Sequence, residues 1–392
     1  MSHRGAGERF VVLTALLFVV GILIAISTLP SSGARPDDGQ TIFRFDTFGD
    51  EQLWTDTLRM HEVIEAAVSP RVALAVGLKV DATAVPPGFL ATHSLDDPAT
   101  TVELIRLNAV IGIVGKVEAG KLKSVGITCA LCHSIVDNSV AAGIGNRLDG
   151  WPNRDLDPGR IIALSPALTA EQRAVYNSWG PGKYDARFNI DGINFPVLIP
   201  PAFGLQGIGF ETYTGEGPIS YWNNYVAVTQ MGGHGSFSDP LLGINITQQP
   251  DLVTPKLPAL LQYQLSLATP LPPAGSFDQT SARRGETLFN DRARCATCHV
   301  PPLFTDVHAG PDPSAPLLHD ASEIGAEPVY ATRGTTKMYR TTPLRALWQH
   351  PPYFHDGSAV DLPAVVDHYD AVLDLGLNKP QKADLVEYLK SL

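Results

Sequence analysis

The four cysteines of this 392-residue chain fall as Cys129-Ala130-Leu131-Cys132-His133 and Cys295-Ala296-Thr297-Cys298-His299, and their spacing constrains the fold more than any other feature. Two thiols about one helical turn apart can reach the two vinyl groups of one porphyrin, and the next residue hands an imidazole to its iron. C-x-x-C-H is therefore the pattern of covalent c-type haem attachment. Two copies with no cysteine left over predict two covalently bound haems c. Cys129, Cys132, Cys295 and Cys298 would hold them, with His133 and His299 as iron ligands. Two disulfides would be the ordinary reading of four cysteines in an exported chain. A redox C-x-x-C has no need of a following histidine twice, and a zinc site needs two more ligands near each pair.

The start of the chain agrees with export. Arg4 and Arg9 precede a charge-free apolar run over residues 10–26, extended by Ser27, Thr28 and Leu29 and closed by Pro30. Twenty residues at ~1.5 Å each match a ~30 Å hydrocarbon core, which favours an anchor over residues 10–29. Ser32-Gly33-Ala34 also offers a small-residue cleavage site, so a signal peptide stays open. In both cases the positive flank stays inside and the rest crosses, giving a periplasmic or extracytoplasmic protein, anchored at the inner membrane if the segment is retained. The whole chain carries −11 at neutral pH. Removing residues 1–34, with two arginines and one glutamate, leaves −12. That balance, with no basic run, excludes nucleic acid as the main partner and points to a redox partner with a basic face, such as a small cytochrome or a cupredoxin.

The expected fold class is mostly α. Two cytochrome c-like haem domains with loop-rich insertions follow one N-terminal transmembrane or signal helix. The divisions are 1–34 for the leader or anchor, 35–125 for an N-terminal helical region, 126–275 for the first haem domain with an insertion, and 276–392 for the second. A stripe of Trp54, Leu58, His61, Ile64 and Val68 predicts one helix over 50–68, on which Met60 and His61 read as ordinary face residues. Asp97-Pro98 starts another helix. Glycine and proline are frequent (35 and 32), and many lie between 143 and 235, where the chain would pass around the first haem. Residues 218–237 read as a short helix and a glycine-rich loop. Toward the end, 282–290 reads as a helix feeding the second motif. Val365, Val366, Tyr369, Val372 and Leu373 form an apolar stripe closed by Gly376, and Pro380 opens a final helix.

The stretches GETLFNDRARCATCH, KMYRTTPLRALWQHPPYFHDGS and KADLVEYLKSL together resemble the C-terminal haem domain of the bacterial di-haem cytochrome c peroxidase superfamily. The resemblance implies that Met338 is the distal ligand of the second haem. A Met plugging a core gap is the alternative. His/Met ligation raises a haem's potential and blocks both axial positions, which suits electron transfer. Arg340, Arg345 and His355 resemble family residues around that haem, with propionate pairing one reading and packing another. The N-terminal part departs from the family, because no histidine occurs between His133 and His234 and the family's distal histidine has no counterpart. Met231, His234 or an open position remain for the first iron. A closed iron there makes the chain an electron carrier. An open one admits hydrogen peroxide, reduced as H₂O₂ + 2e⁻ + 2H⁺ → 2H₂O with Glu211, Glu216 or Asp149 as acid–base group. Electron transfer through the second haem to the first is the leading expectation, and peroxide reduction at the first haem is the alternative. Trp151, Trp222 and Trp348 can pass electrons or simply pack.

Overall fold

The haem-attachment segments are held by short helices and hairpins that the local sequence dictates. A computed structural model describes residues 36–312 and 314–392; the predicted anchor or leader lies outside the described residues. Among the described residues no helix is long and apolar enough to cross a membrane.

In the N-terminal half, α1 (Pro36–Phe45) packs on a later helix through Phe43, whose ring meets that of Tyr263 edge-on at 5.5 Å. The single helix expected over 50–68 is two elements. A π-helical turn spans Gln52–Thr57 and α2 spans Met60–Ala67, with Arg59 between them at φ 56°. The extra residue per turn and the left-handed break shift the register, yet Trp54, Met60, Ile64 and Val68 still reach one core. Helix α3 (Pro98–Arg106) starts as expected, with the Asp97 carboxylate accepting from the Ala99 amide at 2.9 Å.

Strands β1 (Ile113–Glu118) and β2 (Lys121–Ile127) form an antiparallel hairpin directly ahead of the first motif. Its two-residue turn, Ala119-Gly120, has φ 49° and 73°, the left-handed pair that matches strand twist. The described residues hold five two-stranded sheets in all, so the mostly-α expectation is corrected to a mixture of short helices and small sheets. The alternation that signals this hairpin is blurred by Gly115 and Gly126, which put no side chain on either face.

After the hairpin come α4 (Ala130–His133), β3 (Ser134–Val136) and β4 (Arg147–Asp149), with β3 antiparallel to β4. Helix α5 (Ile219–Thr229) and α6 (Leu257–Ser266) complete a second core around Phe43, Trp222, Tyr225 and Leu260. The C-terminal part is helical as expected. In it α7 (Gln279–Asn290), α8 (Leu362–Val372) and α9 (Lys379–Ser391) enclose Phe289, Val366, Leu385 and Leu389. Asn378 and Gln381 form a reciprocal capping box at the start of α9, and Pro380 sits in its first turn. Gly376 does not close α8: Asp374 takes the left-handed position there, at φ 48°, and Gly376 follows in the turn at 62°. The described residues belong to one compact unit.

Candidate functional site

The first motif is clamped from both sides. Thr128 donates its amide to the Gly112 carbonyl at 3.0 Å. Gly112, at φ +80°, lies so close to the haem helix that an added Cβ would sit 2.2 Å from the Leu131 backbone. Beyond α4 the returning chain caps its carbonyls, Gly150 donating to His133 at 2.8 Å and Asn153 to Cys132 at 2.9 Å. These bonds hold the Cys129, Cys132 and His133 side chains on one wall of a largely apolar, partly open cavity of about 510 Å³.

The second motif lines the same cavity. Arg294, left-handed at φ 52°, turns the chain out of α7, and Cys295–Thr297 then forms a 3₁₀ turn. The His299 ring donates Nδ1–H to the Phe304 carbonyl at 3.1 Å, which leaves Nε2 for iron. Burial pushes the His133 imidazole down to about 4 and lowers that of His299 as well, so each is held neutral, the form that binds metal. His133 Nδ1 is buried without a hydrogen-bond partner in this arrangement, while the Pro200 carbonyl acts on the ring from nearby. The thiol spacing, the neutral imidazoles and the cavity that both motifs face fit two covalently attached haems, and the chain carries two haems c.

The predicted ligand set divides. Met231 is 4% exposed and lines the cavity, held there because Trp54 Nε1–H donates to its carbonyl at 2.9 Å. His234 does not line it: its amide is tied to the Phe48 carbonyl at 2.8 Å, and its Nε2 is buried without a partner. Met338 is half-buried and does not line the cavity either, whereas residues 339–345 immediately after it do. Tyr369 on α8 does line the cavity, its phenol pushed up to about 12 first by burial and then by Cys298 and Cys295 nearby. Sequence reading passed over Tyr369 because it sits in the apolar stripe of α8, where an aromatic ring reads as core.

Of the three acid–base candidates, only Glu211 reaches the cavity. Asp149 is spent on structure, accepting from Arg44 at 2.5 Å, Ser134 at 2.7 Å and Tyr263 at 2.5 Å. Glu216 is buried against Arg187, with Thr214 and the Thr335 amide also donating to it. Glu211 pairs with Arg340 at 3.1 Å, and burial raises its carboxyl.

Arg154, Arg340 and Arg345 also line the cavity. Arg340 donates to the Phe210 carbonyl at 2.6 Å, and Arg154 meets the Tyr213 hydroxyl. His355 lines the cavity too, with Nε2 2.8 Å from Glu327 and 3.2 Å from the Tyr339 hydroxyl, both also on the wall. Trp151 and Trp348, from the two haem segments, meet edge to face at 5.9 Å. Trp222 lines the cavity with its Nε1 unpartnered.

No family model matches the sequence. The chain is 30% identical over 130 residues to the methylamine utilization protein MauG of Methylorubrum extorquens, covering 28% of this chain and 34% of that protein. It is equally identical over 127 residues to the protein of that name from Methylophilus methylotrophus, covering 29% and 36%. The chain thus matches about a third of the length of these curated relatives. Among solved structures, the Kuenenia stuttgartiensis hydrazine synthase pressurized with xenon aligns with a TM-score of 0.32 at 20% identity, over 50% of this chain and 73% of that one.

Proposed function

We propose that this di-haem c-type cytochrome, which resembles the di-haem cytochrome c peroxidase superfamily, is an exported electron-transfer protein. A redox partner exchanges electrons with the second haem, and the first haem passes them on. The observation that carries this reading is that both attachment motifs line one largely apolar, partly open cavity, so the two redox centres would share its walls. Each bound haem supplies a one-electron iron couple. The chain's own residues do the rest. His133 and His299 present neutral nitrogens, Phe304 fixes the ring of His299, and the Trp151–Trp348 contact joins the two haem segments through aromatic edges. Export rests on the apolar run over residues 10–29, and the partner's basic face on the −12 of the remainder.

A second reading, reduction of hydrogen peroxide at the first haem, is favoured by one observation. Glu211 is a buried carboxyl on the cavity wall whose proton affinity is raised, as an acid–base group requires. Electron paramagnetic resonance of the oxidised and half-reduced protein, paired with peroxide consumption, separates the two. Low-spin ferric signals from both haems in the oxidised protein and from the remaining ferric haem after half-reduction, with no consumption, are expected for electron transfer. A high-spin signal appearing on half-reduction together with peroxide turnover replaces that reading with peroxide reduction.

A further inference from the structure

A smaller groove of about 310 Å³ adjoins the haem cavity. The two share three residues, Leu205, Glu211 and Ile219, of which Glu211 is the titratable one. His308 stands in the groove as an exposed imidazole from the segment after the second motif, and its Nε2–H donates to the Gly207 carbonyl at 3.1 Å. The neutral ring then keeps the lone pair on Nδ1 for a proton. Helices α5 and α6 line the groove with apolar side chains alone, Ile219 from the first and Leu261 and Leu265 from the second. Glu211 is therefore the ionisable side chain that faces both spaces.

Glu211 is 5% exposed, with its amide tied to the Gly217 carbonyl at 2.7 Å and its carboxylate paired with Arg340 at 3.1 Å. Arg345 attracts it as well, while burial, the largest influence, raises its proton affinity. Other ionisable groups on the cavity wall are less able to accept a proton. His133 and His299 face iron, and burial followed by the charge of Arg154 pushes the His350 imidazole down to about 4. His319 and His355 are each bound to a carboxylate, at 2.9 and 2.8 Å. The arginines are charged already, and Asp356 accepts from the Ser358 amide at 3.0 Å.

We propose that Glu211 is the redox-linked proton acceptor of the haem cavity, drawing its proton through the His308 groove when an electron arrives. One electron adds a negative charge to a largely apolar cavity, and one proton on Glu211 cancels it. The step balances as Fe(III) + e⁻ + Glu211–COO⁻ + H⁺ → Fe(II) + Glu211–COOH. The redox partner supplies the electron, and solvent supplies the proton through the groove. Arg340 gives up its carboxylate partner in that step but keeps the Phe210 carbonyl at 2.6 Å, so its guanidinium stays hydrogen-bonded. The inference rests on the electron-transfer reading and adds to it where the compensating proton is held.

The test uses the full haem-loaded chain, with haem content counted first by pyridine haemochrome absorbance and midpoint potentials then measured by spectroelectrochemistry from pH 5 to 9. Protonated Glu211 favours the reduced state, so potential falls as pH rises. In the parent the reduced-to-oxidised ratio of at least one haem at fixed potential is expected to drop at least threefold per pH unit over part of that range. Tenfold, or about 59 mV, is the limit for one proton per electron. Glu211→Gln, uncharged at every pH, is expected to hold the ratio within about 1.5-fold per unit, and Glu211→Asp, which keeps a carboxyl, to restore the slope. The groove is tested separately by Leu265→Trp, which fills it at a position that does not line the haem cavity. Proton uptake after flash reduction, followed with a pH-indicator dye, is expected to slow at least tenfold in that variant. Potentials flat with pH in the parent, or a slope that survives in Glu211→Gln, overturn the acceptor, and uptake as fast in Leu265→Trp as in the parent overturns the route. Haems that no one-electron donor reduces overturn the electron-transfer reading instead, so the failures are distinguishable.

Discussion

Asp50 has no solvent exposure at all. Its Oδ2 accepts from the Ile127 amide at 3.1 Å, just ahead of the first motif, while Oδ1 has no partner. Burial pushes its carboxyl up to about 9, and Glu51 and Asp46 add to the rise. The sign follows from linkage. Unfolded, the group loses its proton near pH ~4, whereas folded it keeps the proton until about pH 9. The folded state thus binds more protons in between, and stability falls as pH rises through that window, by at most about 1.4 kcal/mol per pH unit. Thermal unfolding followed from pH 5 to 9 is expected to show this decline, and Asp50→Asn to flatten it, since an amide oxygen keeps the Ile127 bond without a charge to bury. An unchanged slope in the variant sinks the assignment. Nothing in the sequence marks Asp50, because its partner lies 77 positions away. The haem-binding residues were legible because five consecutive positions carry the whole chemistry. The distal ligand of the second haem is less legible, since a loop ligand depends on how the chain returns to the cavity, and spacing along the sequence does not encode that return.

At the level of elements, α7 and α9 cross where Gly285 lies against the other helix. A Cβ there would stand 2.0 Å from the Asp384 carbonyl oxygen and 2.7 Å from its carbon, a backbone contact that cannot swing away. The crossing is locked beside it by Arg284, whose fork meets the Asp384 carboxylate at 2.8 and 2.6 Å. Gly285→Ala improves intrinsic helix propensity yet must push the helices apart, so a net loss of about 1–3 kcal/mol is expected from overpacking. Urea unfolding of the haem-loaded protein measures it, and a variant at least as stable as the parent would show that the crossing relaxes freely. This half of the molecule was readable from sequence because its helices carry apolar stripes and an early proline, both local signals. The N-terminal half was less so. Its first long helix is interrupted at Arg59, which is not a residue type that announces a left-handed turn, and its hairpin turns on Ala119-Gly120 instead of the more telling Asn-Gly.

For the molecule as a whole, the relevant quantity is the charge a partner meets before contact. Residues 35–392 carry −12, and a field of that size steers a basic partner and repels an acidic one. The immediate surroundings of the second motif are different: Arg292 and Arg294 are exposed beside Cys295, each held by a backbone carbonyl, those of Gly376 and Leu373. Exposed Asp291 and Asp374 stand beside them, so the local face is of mixed sign while the long-range field is negative. Salt distinguishes them. Raising ionic strength from 10 to 150 mM shortens the Debye length from ~30 Å to ~8 Å, which removes the long-range contribution and leaves contacts at the interface. With a basic cytochrome or cupredoxin as donor, the second-order rate of haem reduction is expected to fall roughly tenfold or more across that range. If the partner docks over the second motif, Arg294→Glu should raise the low-salt rate and steepen its salt dependence, because the local patch then joins the global charge. A rate that stays flat with salt for a basic donor, or that rises with it, removes net charge as the guide to the partner.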